Sequence, residues 1–304
     1  MIFQPASSDN ENLRSWYIVN CVLNAILTIT AIILNGVTIQ ALNNTSLLPK
    51  PLKVLLLNLA VSDLGVGLLL EPFYFGLLVK WLQRADSTDV TCVSFLSTLY
   101  LFSAASLSGV MALSTDRFLA VHLHLRYQEL VTHKRVVVVV ISIWVFGAFL
   151  SLFHLWVSRN IFYMLVAIIG VVYLVFSAMF YFKIYFAVRR HRYQVQAQQV
   201  AQNGQLANAA RLRKSAVAVF YVYLVFLLCY LPKSCSLAVV VISDFGPSVT
   251  VFSSAATTLL LLNSSLNPVI YCWRMRQIRR AIMGMLRNCI SKSKLNKIVE
   301  TRRQ

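Results

Sequence analysis

The feature that most constrains this chain is a series of seven apolar segments, each long enough to cross a lipid bilayer. A hydrocarbon core about 30 Å thick needs about 20 apolar residues per helix. We number the segments spans one to seven, and their bounds are Trp16–Leu42, Leu52–Val79, Val93–Val121, Val136–Val157, Ile161–Val188, Ser215–Ser243 and Val249–Trp273. The pattern predicts an all-α membrane protein with a bundle of seven transmembrane helices.

Composition and the lengths of the remaining segments support this class. The chain is 58% hydrophobic and 12% charged, with a mean hydropathy of +0.69, whereas soluble domains are about 25% charged. The bundle occupies residues 16–273, after a polar tail of residues 1–15. Residues 274–304 predict a short amphipathic helix, with Ile278, Ile282, Met285 and Leu286 facing lipid, and a basic tail. The connections leave no room for a soluble domain.

The positive charge of the chain predicts its orientation. The net charge is +18, and arginine and lysine cluster between spans five and six and after span seven. Because cytoplasmic loops carry the excess of Lys and Arg, we expect the N terminus outside and the C terminus inside. The basic segments alternate with membrane spans. They therefore favour anionic lipid and a cytoplasmic protein as partners, and not nucleic acid.

Two motifs at the ends of spans point to a protein that changes state. Asp116-Arg117-Phe118 closes span three, so an arginine at a helix end lies beside an acid that can hold it. Asn267-Pro268-Val269-Ile270-Tyr271 closes span seven, where a proline kinks a helix that carries a polar tyrosine. Neither motif helps a helix merely to reside in lipid. The pair is typical of a membrane signalling protein.

Asp63 lies inside span two, where a charge costs several kcal/mol unless it faces a partner or water. Other spans carry polar side chains that could meet it, namely Asn35, Ser106, Asn263, Ser264 and Asn267. Such oxygen-bearing groups around one carboxylate suit a hard cation. The alternative is a protonated Asp63 in a polar cluster that holds no ion.

Motifs in all seven spans resemble the rhodopsin-like (class A) family of G-protein-coupled receptors. They are Asn35, Leu59–Asp63, Cys92, Asp116–Phe118, Trp144, Tyr181, Phe226, Cys229–Pro232 and Asn263–Tyr271. The resemblance implies a plasma-membrane receptor that is not an enzyme, binds an extracellular ligand and activates heterotrimeric G proteins. Within the family the chain looks most like the melanocortin, cannabinoid, lysolipid and adenosine receptors.

The resemblance also implies roles for individual residues. The residues of the activation switch and the G-protein coupling end would be Asp116, Arg117, Tyr181, Phe226, Tyr230, Pro232, Asn267, Pro268 and Tyr271. The family's sodium pocket corresponds to Asp63, Ser106, Asn263, Ser264 and Asn267, and no other cofactor is expected. Cys289 is a candidate for palmitoylation, with an unmodified thiol as the alternative.

The sequence departs from the family pattern at several positions. Tyr173 stands where span five usually has a proline, and Tyr230 stands where span six usually has a tryptophan. The foot of span six is basic and lacks the acid that clamps the span-three arginine in many relatives, so some ligand-free activity is expected. Cys92 matches the usual bridge residue, but no cysteine lies between spans four and five. We therefore expect no disulfide there.

The ligand class is predicted from the outer halves of the spans. Leu99 replaces the acid of amine receptors and Leu261 replaces the retinal-binding lysine of opsins, so neither an amine nor retinal is expected. Lys233 could bind an anionic group, or could instead pair internally with Glu71. The expected ligand-binding residues are Glu71, Leu99, Tyr100, Ser103, Tyr230, Lys233, Leu237 and Thr257. They suit a small or lipid-like ligand, with or without an anionic group, and a small peptide or a nucleoside is the alternative.

A seven-span transporter or channel is the rival class. Such a protein would need paired repeats or broken helices around a midplane site, and the sequence has no evident repeat. An enzyme is disfavoured because no metal cluster, nucleophile elbow or phosphate loop is present in the sequence.

Overall fold

The computed structural model of the chain describes residues 11–45, 48–83, 89–123, 126–197, 203–243, 246–274, 276, 278–284 and 287. In this part of the chain, seven helices are long and apolar enough to cross a membrane, which confirms the predicted class. Spans one and two are the helix Glu11–Asn44 and the segment Lys50–Leu82. Spans three to seven are the helices Asp89–Leu123, His133–Phe153, Arg159–Ala197, Asn203–Ile242 and Pro247–Arg274. A short helix, Tyr127–Leu130, connects spans three and four.

The spans alternate in direction, so the bundle has two ends. We call the end where span one begins the N-terminal face, and the end where span seven finishes the C-terminal face. Span three lies at the centre, because it packs against spans two, four, five and six. Spans one and seven pack side by side and close the ring. Helices satisfy their backbone hydrogen bonds internally, which is the condition for crossing a lipid bilayer.

Span four is shorter than the sequence predicted. The helix ends at Phe153, and residues 154–156 form a turn, so the predicted end at Val157 was wrong. The ring of His154 lies 2.8 Å from the Ser151 carbonyl oxygen, one of the last carbonyls of the helix. Burial lowers the pKa of His154, with the Ser151 contact acting in the opposite sense. Apolar composition continues past the helix end, which is why hydropathy alone misplaced it.

Span two is interrupted by a π-helical turn, Val66–Leu70, which separates the helices Lys50–Gly65 and Glu71–Leu82. The amide of Glu71 bonds to the Val66 carbonyl across this wider turn. Pro72 follows directly and has no amide to offer to the preceding turn. The turn inserts one residue and changes the angular relation between the two halves of the span by roughly 100°.

Span two also packs very closely on span three. A Cβ atom placed on Gly65 would lie 2.2 Å from the ring of Phe102. With the Phe102 ring in this position, only a glycine fits at residue 65.

Residues 278–284 are helical beyond the end of span seven. Ile278 is completely buried in the core, so the prediction that it faces lipid was wrong. The N-terminal tail up to residue 10 and Cys289 with most of the basic tail lie outside the described residues.

Candidate functional site

A cavity of about 70 Å³ lies within the half of the bundle nearer the N-terminal face. Six of the residues predicted to bind ligand line it, namely Leu99, Tyr100, Ser103, Tyr230, Lys233 and Leu237. Sequence reasoning missed the wall that spans four and five supply, which includes Phe146, Leu150, Val166, Ile169, Gly170 and Tyr173. Apart from Tyr173, which stands at the family's span-five proline position, these residues carry no motif, and only the packing of the helices identifies them. The cavity is therefore largely apolar.

Lys233 is the one lining residue that bears a formal charge. Its side chain is only 9% exposed, and its ammonium donates a hydrogen bond to the Thr257 hydroxyl at 2.9 Å. That hydroxyl in turn donates to the Ser253 carbonyl. Thr257 thus lies behind Lys233 and does not line the cavity. An ammonium group has three donors, so two remain for an anionic group placed in the cavity.

Glu71 does not line the cavity, contrary to the sequence prediction. It is completely buried, and neither carboxyl oxygen meets hydrogen-bond geometry with a described residue. The side chain faces Thr28 of span one, whose hydroxyl instead donates to the Asn24 carbonyl at 2.8 Å. Nor do Glu71 and Lys233 form an ion pair, although both are described. The π-helical turn just before Glu71 explains why counting at regular helical spacing misplaced it.

A polar cluster surrounds Asp63 between spans two, three and seven. The Asn267 amide donates to the Asp63 carboxylate at 2.8 Å, and the Ser106 hydroxyl lies 3.4 Å from its other oxygen. Ser62 lies 3.0 Å from Ser106 and extends the cluster. Asp63 and Asn267 are completely buried. The structure thus brings together the core of the predicted set.

Asn35 was expected to contact Asp63, but its amide forms other hydrogen bonds. Its amide donates to the Ala31 carbonyl and to the Ser264 carbonyl, each at 2.9 Å. It therefore ties span one to the backbone of span seven and does not bond to the carboxylate.

The residues around Asp63 fit the sodium ion that the family resemblance implies. The side-chain oxygens of Asn263 and Asn267 are buried without a hydrogen-bond partner among the described residues. Ser264 lies beside the carboxylate as well. Neutral oxygens with free lone pairs next to one carboxylate are the donor set that a hard monovalent cation prefers. Such an ion would supply the positive charge that a buried carboxylate otherwise lacks.

Asp116 and Arg117 are in contact near the C-terminal face. Both side chains are at least 95% buried, and the Arg117 guanidinium donates to the Asp116 carboxylate, with Nε at 2.9 Å. The other carboxylate oxygen of Asp116 accepts a 2.6 Å bond from the Tyr127 hydroxyl. Burial, followed by the nearby Asp116 carboxylate, raises the pKa of Tyr127. The loop tyrosine therefore remains a donor and supports the acid that holds Arg117.

The remaining predicted switch residues lie on spans five, six and seven. Phe226 and Tyr230 stack in parallel on span six, with ring centroids 5.0 Å apart. The Tyr181 hydroxyl lies 2.8 Å from that of Ser114, one turn before Arg117. Tyr271 is buried, and its hydroxyl has no partner among the described residues. Pro232 and Pro268 lie inside the helices of spans six and seven.

Sequence reasoning missed the roles of Tyr127 and Ser114. Tyr127 lies outside the spans, and no periodicity connects it with Asp116. Ser114 does have a signal, since it lies three residues before Arg117, on the same helical face. Among the described cysteines, Cys92 is buried and free.

Comparison with known proteins identifies relatives along most of the chain. The family model of the seven-transmembrane receptors of the rhodopsin family matches residues 34–161. The histamine H2 receptor of Cavia porcellus is 29% identical over 251 residues, which cover 74% of this chain and 67% of that receptor. Melanocortin receptor 3 of Homo sapiens is 22% identical over 283 residues, which cover 86% of this chain and 84% of that receptor.

Adenosine receptor A2b of Bos taurus is 33% identical over 130 residues, which cover 42% of this chain. The match spans 38% of that receptor's length. Melanocortin and adenosine receptors were among the groups that the sequence resembled, whereas the histamine receptor was not anticipated. These matches confirm the resemblance at the level of the family.

Proposed function

We propose that this chain responds to a small anionic or lipid-like ligand. The family match and the relatives show the chain to be a class A, rhodopsin-like G-protein-coupled receptor and not an enzyme. The ligand would occupy the cavity beside Lys233, and heterotrimeric G proteins would bind at the C-terminal face. The observation that carries the proposal is the arrangement on span three. That one helix lines the cavity through Leu99 and Ser103 and carries the Asp116–Arg117 contact at its other end.

The charge of the cavity supports an anionic ligand. Lys233 is its one charged lining residue, and the position of the usual amine-receptor acid is Leu99. An amine would gain no ion pair there, which argues against histamine-like ligands despite the histamine H2 receptor among the relatives. A carboxylate or phosphate would gain a charge-assisted hydrogen bond in a dry site. A nucleoside or a small peptide is an alternative on the basis of the adenosine and melanocortin relatives.

The signal would pass through the polar and aromatic residues between the two ends. A group bound at Lys233 lies next to Pro232, where span six lacks a backbone hydrogen bond and bends most easily. Tyr230 lines the cavity and stacks on Phe226, so a movement at the cavity is transmitted along span six. Movement of spans six and seven would then release Arg117 from Asp116 and open the C-terminal face.

The proposed orientation of the chain in the membrane follows from the distribution of its positive charge. The connection between spans five and six and the segment after span seven are rich in arginine, which supports a cytoplasmic C-terminal face and an extracellular N terminus at the plasma membrane. The sodium ion would stabilise the resting arrangement by linking Asp63 of span two to Asn267 of span seven.

The reconstituted protein allows the proposal to be tested with two readouts, nucleotide exchange and accumulation of a labelled probe. Purified protein in lipid nanodiscs is mixed with a panel of heterotrimeric G proteins, with oleate or lysophosphatidate as anionic probes. We expect nucleotide exchange that rises with at least one probe. A transporter would instead accumulate the labelled probe in sealed vesicles and stimulate no G protein, and that result would overturn the proposal.

A further inference from the structure

Four rings, which we call the aromatic lid, pack together on the N-terminal side of the cavity between spans three, four and five. They are Tyr100, which also lines the cavity, and Phe153, His154 and Phe162. Tyr100 meets Phe162 edge-on, with ring centroids 4.7 Å apart, and also meets His154 at 5.6 Å. Phe162 further contacts Phe153 and His154, at 6.4 and 5.8 Å. Phe162 is only 1% exposed. The space between spans three, four and five is therefore filled by side chains on this side of the cavity.

The side of the cavity between spans four and five is built differently. Both spans pack along span three, but in the residues that the structure describes they approach each other much less closely than either approaches span three. The gap between them is lined by cavity residues on both sides, Phe146 and Leu150 from span four and Val166 and Ile169 from span five. Beyond these residues the surface is apolar and exposed, as at Phe149 and Val172. In a membrane this gap faces lipid.

The size of the cavity indicates how a ligand would fit. Its volume of about 70 Å³ is well below the roughly 300–1,000 Å³ of pockets that enclose a whole ligand. An anionic group and a few carbons fit beside Lys233, and the rest of the molecule must extend outwards. The aromatic lid fills the space between spans three, four and five on the N-terminal side, and the lining that spans four and five give to the cavity is apolar.

We propose that the ligand is a single-chain anionic lipid that enters from the bilayer between spans four and five. Its carboxylate or phosphate meets Lys233, and its acyl chain passes between Phe146 and Ile169 into the membrane. This inference rests on the proposed function, since it assumes that the cavity holds the ligand. It adds the route of entry and the nature of the part of the ligand that remains in the bilayer.

Photolabelling of the full chain in nanodiscs tests the route. The probes are palmitate and lysophosphatidate analogues, each with a diazirine near the methyl end of the chain. We expect labelled peptides that contain residues 146–150 and 166–173, with labelling that declines when unlabelled oleate competes. Labelling confined to other helix faces, or labelling that oleate does not reduce, would overturn the proposal. The two head groups distinguish a fatty acid from a lysophospholipid.

A matched pair of substitutions locates the entry point. Ile169 lines the gap, whereas its neighbour Ile168 is 56% exposed on an adjacent face of the helix. Ile169→Trp should reduce competable labelling roughly tenfold, the loss that 1.4 kcal/mol gives, and Ile168→Trp should leave it unchanged. Ile169→Ala should maintain or raise labelling. That result would show that Ile169→Trp acts by blocking the gap and not by misfolding the protein. Equal labelling in both tryptophan variants would contradict the proposed route.

The labelling readout needs no G protein, so it separates this proposal from the proposed function. Nucleotide exchange without specific labelling would leave the receptor function standing and refute the lipid route. Specific labelling without exchange on any G protein would leave the lipid route standing and refute the receptor function.

Discussion

The ammonium of Lys233 donates to the hydroxyl of Thr257 at 2.9 Å and does not pair with Glu71, the acid that could have neutralised it. The lysine therefore faces the cavity with donors to spare, while the acid is buried against span one. This separation argues against the internal ion pair, one of the two interpretations that the sequence left open. It favours a ligand-binding role for Lys233 over an internal ion pair.

Replacing Lys233 with methionine should leave folding intact, because a long apolar side chain suits the span better than a charge. Responses to oleate or lysophosphatidate should fall by about one to three orders of magnitude, the few kcal/mol of a charge-assisted contact in a dry site. The measurement is the dose response of nucleotide exchange, normalised to surface expression. Thr257→Val is the matched control, since it removes the hydrogen-bond partner and keeps the charge, and it should shift the response less.

Glu71→Gln should preserve or raise thermal stability in detergent. A fully buried carboxyl group without a partner is costly when ionised, and glutamine has the same shape without the charge. Because Glu71 and Lys233 do not pair, the effects of Glu71→Gln and Lys233→Met on melting should add to within about 0.5 kcal/mol. Strong mutual rescue in the double variant would instead reveal an ion pair.

Tyr127→Phe should raise nucleotide exchange in the absence of ligand. The substitution removes the hydroxyl that donates to Asp116 at 2.6 Å, and a less well held Asp116 retains Arg117 less firmly. A charged hydrogen bond of about 1.5–3 kcal/mol sets an upper limit of roughly a hundredfold. Adding Arg117→Ala to Tyr127→Phe should abolish the gain. A gain that persists in the double variant would show that Tyr127 acts by another route.

Sodium should lower ligand-free exchange, because an ion bound at Asp63 would link spans two, three and seven at rest. The measurement compares sodium chloride with choline chloride at equal ionic strength. Ser106→Ala should weaken the difference, since Ser106 lies beside the carboxylate. Ser108→Ala is the control on the same span, because Ser108 instead faces the Tyr173 hydroxyl at 3.4 Å. Equal loss in both variants would argue against a site at Asp63.

Much of the fold and part of the site could be predicted from the sequence. Lipid forces every spanning segment to be a long apolar helix, so hydropathy located all seven. The cost of a buried charge predicted that Asp63 has polar partners, and Asn267 and Ser106 are among them. Those inferences depend on composition and on energies that act everywhere in a membrane.

Other features depend on local geometry that no periodic pattern reports. The π-helical turn at Val66–Leu70 changes the direction of Glu71, and regular counting assumes that no such turn exists. Tyr127 reaches Asp116 from a loop, and loop positions have no fixed register with a helix. Spans four and five form part of the cavity wall because of how the two helices are spaced. No single residue of their sequences encodes that spacing.

The central claim is that Arg117 couples this receptor to G proteins, and one measurement tests it most directly. Guanine-nucleotide exchange is followed with purified chain in nanodiscs and the panel of G proteins, for the unmodified chain and for Arg117→Ala. Arg126→Ala serves as the control, since it removes an exposed arginine close to the same face. We predict exchange with the unmodified chain and with Arg126→Ala, and none with Arg117→Ala at equal folding and probe binding. Undiminished exchange by Arg117→Ala would contradict the account.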